Sequence, residues 1–226
     1  MARSTHDHHG RPSRVVVLGL GRFGASLGLE LVRRGTEVLG VDGNQRIVQK
    51  FADELTHTAV ADTTDIEALR QLDVPDYQRA VVGIGNDLEA SILTTAVLVD
   101  LGVSNIWAKA ISRQHGRILE RVGAHHVELP EHEMGERVAH LVTGRMLDYI
   151  EFEHDFAMVK TSPPRDIVGK PLSDTGVRSR DRITVVGVKH PGEDFTYATE
   201  ATVLQPEDLL IVSGKIDDVE AFADRT

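Results

Sequence analysis

From Arg14 onward, short solid runs of apolar residues alternate with stretches in which apolar residues return every third or fourth position. The runs are VVVLGL, EVLGVD, HTAVAD, AVVGIG, IWAKA and HHVEL; the periodic stretches are Phe23 to Arg34, Gln45 to Leu55, Ile66 to Leu72, Leu88 to Leu101 and Gln114 to Val122. A solid run reads as a strand buried on both faces, and the three-to-four period reads as an amphipathic helix, so the series predicts a doubly wound parallel sheet. After Pro130, the residues Met134, Val138, Leu141, Val142 and Met146 share one helical stripe, which predicts an exit helix from Glu133 to Tyr149 whose apolar face needs a partner. Beyond EFEHDF the pattern changes. SPPRDIVGKPLSDTGVRSRDRITVVGVKHPGEDF is rich in Pro, Gly and Asp, with strands expected at Ile183 to Val188 and Leu209 to Val212. The expected fold class is α/β: a Rossmann-like parallel-sheet N-lobe over residues 14–132 behind a disordered tail 1–13, then a crossover helix and linker 133–154, then a small α+β C-lobe over 155–226.

Composition narrows the chemistry. The 226 residues include no cysteine, which excludes disulfides, thiolate metal sites and cysteine nucleophiles and suits a reduced interior. With 35 acidic against 25 basic residues the net charge is −10, which opposes a nucleic-acid partner. No run approaches the roughly 18 to 20 apolar residues of a membrane span, so the expectation is a soluble chain. His6, His8 and His9 read as part of a polar tail rather than a metal site.

VVVLGLGRFGASLGLELV holds Gly19-x-Gly21-x-x-Gly24 between a strand and a helix. Gly19 permits the tight turn, Gly21 admits a pyrophosphate against bare backbone, and Gly24 lets the helix pack on the sheet. Asp42 closes the next strand, where a carboxylate accepts ribose hydroxyls and repels a 2′-phosphate. Arg22, inside the loop, has two readings, a guanidinium reaching a terminal phosphate or a solvated loop arginine, and nothing local decides between them.

Catalytic signatures do not accompany this pocket. The sequence has no H-E-x-x-H, G-x-S-x-G or Walker lysine motif, and the segment beyond the βα series is too small for the substrate domain of a dehydrogenase. His125 and His126 read as a turn-to-strand pair rather than a ligand pair.

The stretches VVVLGLGRFGASLGLELVRRGTEVLGVD, AVVGIGNDLEASILTTAVLVDLGVSNIWAKA, HGRILERVGAHHVELPEHEMGERVA and GVRSRDRITVVGVKHPGE resemble the Trk/Ktr-type regulatory subunits of bacterial potassium uptake, built from RCK domains. The closest likeness is to the Ktr-type protein with one N-lobe and one C-lobe. The resemblance implies a non-enzyme whose N-lobe takes ATP or ADP, or NAD or NADH, with Gly19, Gly21, Arg22, Phe23 and Gly24 at the phosphates, Asp42 at the ribose, Asp62 and Thr63 by the adenine and Lys109 at the phosphate end. It also implies that Glu120 faces the phosphates across a dimer seam and helps hold Mg²⁺ or Ca²⁺. Where relatives carry a Gly-Asp-Ala-Thr type stretch, this chain reads VADTTD, keeping the acid at position 62.

For the C-lobe the resemblance implies cyclic di-AMP at a two-fold interface, with Arg178 for phosphate and Val177, Ile183 and Val185 for adenine; a core strand behind a solvated loop is the competing reading. The implied whole is a cytoplasmic gating subunit, an octameric ring built of dimers beneath a separate membrane potassium pore subunit. A small NAD-dependent oxidoreductase and an NADH-sensing module without a channel are the alternatives.

Overall fold

The computed structural model describes residues 13–143, 146–152 and 155–226. His6, His8, His9 and all but the last residue of the expected tail 1–13 lie outside the described residues. The chain folds as two units, Met1–Glu131 and His132–Thr226.

The first unit runs β1 (Arg14–Leu18), α1 (Arg22–Arg33), β2 (Glu37–Asp42), α2 (Gln45–Phe51), β3 (His57–Val60), α3 (Ile66–Gln71), β4 (Arg79–Val82), α4 (Leu88–Asp100), β5 (Asn105–Lys109), α5 (Arg113–Val122) and β6 (His126–Glu128). Its six strands are all parallel, in the order β3-β2-β1-β4-β5-β6. The solid apolar runs are solid because both faces are covered. Val16, Leu18, Val41, Val82 and Ile106 point to one side beneath Leu69, Leu98 and Leu119 of α3, α4 and α5. Val15, Val17, Val38 and Val81 point to the other, beneath Ala25, Val48 and Phe51 of α1 and α2. The β5–β6 end of that second side carries Trp107, stacked on His126 with ring centroids 4.0 Å apart. His125, just before β6, accepts the Ile106 N–H at Nδ1, so the histidine pair serves the sheet edge. Asn44, Asp65, Asp87 and Ser112 cap α2, α3, α4 and α5 by accepting backbone N–H groups, which fixes where each helix starts at the carboxyl edge of the sheet.

The next helix, α6 (Pro130–Thr143), begins at the end of the first unit and runs into the second. It stops six residues short of Tyr149. Residues expected to prolong it form β7 (Met146–Phe152), which pairs antiparallel with β8 (Phe156–Thr161). Met146 therefore belongs to a strand, and the helical stripe ends at Val142. The reason is tertiary: as an edge strand the segment gains a ladder of backbone bonds to β8 and buries Tyr149, which stacks on His140 of α6 with centroids 4.1 Å apart. Residues 146–152 thus form part of the C-terminal sheet rather than a linker.

The remaining elements are α7 (Leu172–Thr175), α8 (Val177–Arg180), β9 (Thr184–Lys189), β10 (Thr196–Tyr197), β11 (Leu209–Lys215) and α9 (Ile216–Ala223). The antiparallel sheet has the order β10-β9-β11-β8-β7. Ala157, Val159, Val188, Leu210 and Val212 alternate onto one face and pack against Val219, Phe222 and Ala223 of α9. Among the described residues no helix is long and apolar enough to cross a membrane.

Candidate functional site

The strand order reverses direction at β1 and β4, and a cleft of about 720 Å³ opens at their carboxyl ends. Gly19, Gly21, Arg22, Phe23, Asp42, Asp62, Thr63 and Lys109 all line it. Gly24 does not. A Cβ there would stand 2.0 Å from the Gly19 carbonyl oxygen, so Gly24 is the packing glycine beneath the loop. Gly19 sits at φ 93°, a backbone state that side chains resist.

Gly21 differs from both. Its φ is −64°, and among the described residues nothing beyond its two chain neighbours lies within 4 Å of where its Cβ would be. The fold has no need of glycine at this position; the bare backbone leaves room for something outside the chain. Gly21 is also the N-cap of α1 and has no side chain to cap it, so the first N–H groups of the helix face the cleft without a side-chain acceptor.

Asp42 ties two walls together. One oxygen accepts the Leu20 N–H at 2.8 Å and the other accepts the Asn44 N–H at 2.8 Å. A carboxylate offers about four lone-pair directions, so capacity remains on the cleft side for a diol. Ile47, Val60 and Ala61 supply apolar surface at this end. Asp62 is turned toward its own loop, accepting from the Thr64 hydroxyl at 2.7 Å and the Thr64 N–H at 2.9 Å, and the hydroxyl bond holds its carboxyl below the usual carboxylate range. Thr63 lines the cleft by position only, since its buried hydroxyl is bonded to Thr94 on α4 at 2.7 Å.

Charge gathers at the opposite end. Lys109 is nearly buried, lies 5.8 Å over the Phe23 ring and pairs with Glu131 in the first turn of α6. The hydrogen bond from Lys109 holds the Glu131 carboxyl below its usual range, with a smaller contribution from the Arg22 charge. Arg22 itself makes no ion pair among the described residues. Glu131 is thus the acid facing the cleft cations, and the sequence reading passed over it. That reading also missed the second loop, Gly83, Ile84, Gly85, Asn86 and Asp87, which forms the wall at the start of α4. Its signal was present: glycines between a strand and an Asp-capped helix, the same grammar as Gly19 to Gly24. Glu120 is exposed on α5, seven residues beyond the start of that helix, and does not line the cleft of its own chain. Among the described residues no cluster of three His, Asp or Glu side chains is arranged for a metal.

In the second unit Val177, Arg178, Ile183 and Val185 are brought together in a groove of about 390 Å³, with Ser173, Thr199 and Glu200 on its rim. Val177, Ile183 and Val185 are largely spent in the core, while Arg178 is exposed and makes no ion pair among the described residues. The neighbouring arginines are bound. Arg180 and Arg225 together hold Asp166 and Asp181, and Arg182, at φ 56°, holds Asp218 of α9. Burial works against ionisation of Asp181, but hydrogen bonds from Arg180 and Arg225 outweigh it and keep that carboxyl below its usual range.

Comparison with known proteins matches the TrkA-N domain over residues 15–130 and the TrkA-C domain over residues 156–226. The chain is 34% identical over 210 residues to Ktr system potassium uptake protein C of Bacillus subtilis (strain 168), covering 92% of this chain and 95% of the relative. It is 35% identical over 202 residues to Ktr system potassium uptake protein A of Vibrio alginolyticus, covering 89% and 92%. Among solved structures, the GsuK RCK domain superposes with a TM-score of 0.65 at 18% identity, over 95% of this chain and about half, 48%, of that one. The GsuK channel bound to NAD superposes with a TM-score of 0.63 at 18% identity, over 95% of this chain and 39% of that one. With a TrkA-N and a TrkA-C domain in sequence, and Ktr relatives aligned along nine-tenths of its length, the chain belongs to the Trk/Ktr-type family of RCK-domain proteins.

Proposed function

We propose that this chain is the cytoplasmic regulatory subunit of a potassium uptake system, reading an adenine nucleotide in its N-terminal cleft and passing the result to a separate membrane pore subunit. The observation that carries the reading is Gly21, a glycine the fold does not require, at the uncapped start of α1 and in the loop that Asp42 holds through the Leu20 N–H. Backbone N–H groups and Arg22 with Lys109 suit phosphates, and the free lone pairs of Asp42 suit a ribose diol. Close Ktr relatives named for potassium uptake support the pore partner. A ligand drives such a subunit only by binding its two states unequally, so ATP and ADP, or NADH and NAD, act through the difference in their phosphate ends.

Unspent apolar surface supports self-assembly. Met134, Val138 and Val142 on α6 are 52%, 43% and 77% exposed, and α6 is the element proposed to join copies into dimers and dimers into a ring. Within such a ring Glu120 would reach a neighbour's phosphates with Mg²⁺ or Ca²⁺, and Glu120→Gln would then abolish divalent dependence while leaving nucleotide affinity intact. The Arg178 groove is proposed for cyclic di-AMP, and Arg178→Ala should remove that binding alone. The decisive experiment is calorimetry of the purified chain with ATP, ADP, NADH and NAD, followed by potassium flux in vesicles carrying the pore subunit. Hydride transfer to any carbonyl substrate, or flux indifferent to this chain, would overturn the reading. Arg22→Ala should weaken ATP more than ADP if the guanidinium meets the terminal phosphate.

A further inference from the structure

Between β9 and β11 the chain makes a long loop, His190 to Asp208, interrupted only by the two residues of β10. Every residue from Pro191 to Tyr197 is exposed, and the apolar anchors of the loop are few, chiefly Leu204 and the half-buried Ala198. A segment held by so little buried surface opens locally at low cost. Its returning arm is held by backbone bonds: the N–H groups of Gly169, Leu172 and Ser173 donate to the carbonyls of Leu204, Thr202 and Glu200, each at 2.9 Å. Ala198, Thr199 and Glu200 of this loop line the groove that Arg178 also lines. The groove therefore has a core side, Val177, Ile183 and Val185, and a loop side.

A histidine and a carboxylate close the neck of the loop. His190 and Asp208, 18 positions apart in sequence, meet at 2.6 Å between Nδ1 and Oδ1. Asp208 is fully buried; its other oxygen accepts the Gln205 N–H at 2.7 Å, and its own N–H donates to the Gln205 carbonyl at 3.2 Å. The same carboxylate thus shapes the turn that returns the chain to β11. Among the described residues no second cation pairs with Asp208. A buried carboxylate is held firmly by a charged partner and less firmly by a neutral one. The charged groups around the imidazole are Asp208 from the turn before β11 and Glu193 from its own loop, while the Lys189 ammonium lies 6.0 Å over the Phe195 ring. The hydrogen bond to Asp208 raises His190 above the usual histidine value, burial opposes the shift, and the charges of Asp208 and Glu193 add to it. The pair is charged in mild acid and loses its positive half as the pH rises through that raised value.

We propose that His190 and Asp208 form a proton-operated clasp: closed in mild acid it orders the loop side of the Arg178 groove, and at higher pH it slackens and that side loosens. The core side is packed and stays as it is, so a ligand needing both sides binds more weakly by the fraction of time the loop is displaced. The response of the loop does not depend on what the groove binds; the effect on affinity rests on reading the groove as a site for cyclic di-AMP.

Hydrogen exchange of the full chain, read by mass spectrometry at about pH 6 and about pH 8 and corrected for the intrinsic change in rate, tests the clasp. Peptides from 191–207 should lose about fivefold in protection at the higher pH, the difference between a charged and a neutral hydrogen bond, while peptides from β8 and α9 keep theirs. In His190→Gln, which keeps a neutral donor, the same loop should show one protection at both values. A wild-type loop with equal corrected exchange at the two values, or a His190→Gln loop that responds as the wild type does, would overturn the clasp. Calorimetry with cyclic di-AMP, which has no group titrating between these values, should show about fivefold tighter binding at the lower pH in the wild type and no such change in His190→Gln. Equal affinity at both values would overturn the link from clasp to groove. No binding at either, with the loop still responding, removes the cyclic di-AMP reading and keeps the clasp.

Discussion

The two units differ in how they use the cations that border their grooves. In the C-terminal unit Arg180, Arg182 and Arg225 are tied to Asp166, Asp181 and Asp218, so that charge holds α8, α9 and the turn before α7 together. In the N-terminal unit Arg14, Arg33, Arg34 and Arg70 pair with glutamates on the surface, but at the mouth of the cleft Arg22 makes no ion pair among the described residues and Lys109 has one exposed partner, Glu131. Bound charge is structure and available charge is recognition. On that criterion Arg178, without an ion pair among the described residues and beside arginines that are bound, is where the C-terminal unit resembles the cleft.

The largest expected effect breaks the recognition side. Asp42→Ala and Gly21→Val should each weaken adenine-nucleotide binding by about tenfold or more in calorimetry, the first by removing the diol acceptor and freeing two backbone donors, the second by filling the backbone approach. Both should leave the melting of the C-terminal unit where it was. Arg225→Ala tests the structural side: losing contacts to Asp166 and Asp181 should cost about 1 kcal/mol, seen as about 5 °C off the C-terminal transition, with nucleotide affinity unchanged. Because Asp166 and Asp181 titrate below their usual range when folded, this contribution is present above about pH 4 and is lost as the pH falls through the folded values, so wild type and variant should converge in acid.

A smaller effect sharpens the contrast at the cleft mouth. Glu131→Gln leaves Lys109 without a counter-charge, and ADP should bind about threefold tighter in the absence of divalent cations. The smallest lies in the loop beyond β9. A hydrogen bond to buried Asp208 raises the His190 pKa above 6.5, helped by the charges of Asp208 and Glu193 against the cost of burial. Protonated His190 is therefore favoured by folding; its contribution is complete below pH 6.5 and is lost as the pH rises through the raised value. An imidazole resonance titrating at or below 6.5 would contradict this, and His190→Gln should flatten that part of the stability profile.

The N-terminal unit was far more legible in the sequence than the C-terminal one. Solid runs such as VVVL and periodic stretches such as Phe23 to Arg34 state their environment directly, because a strand covered on both faces has no polar position to blur the pattern. β7 was hidden for the opposite reason. Its edge position and outward Ile150 and Phe152 leave no polar alternation, and Met146 happened to continue the spacing of Met134 and Val138. Only Gly144, directly after the last helical residue, signalled the stop. In the site, the glycines and Asp42 were readable as local grammar, whereas Glu131 reaches Lys109 across 22 positions of sequence and has no local mark.

The hydroxyl bond between Thr63 and Thr94 ties the loop after β3 to α4, the helix that starts at the cleft's far wall, while Asp42 bolts the glycine loop to the turn after β2. Cross-braced at two points, this frame resists opening and shutting like a jaw. On the proposed function, what distinguishes one nucleotide from another would then be expressed outside it, at the mouth, where a phosphate taking Glu131's place on Lys109 would alter the footing of α6 without deforming the cradle.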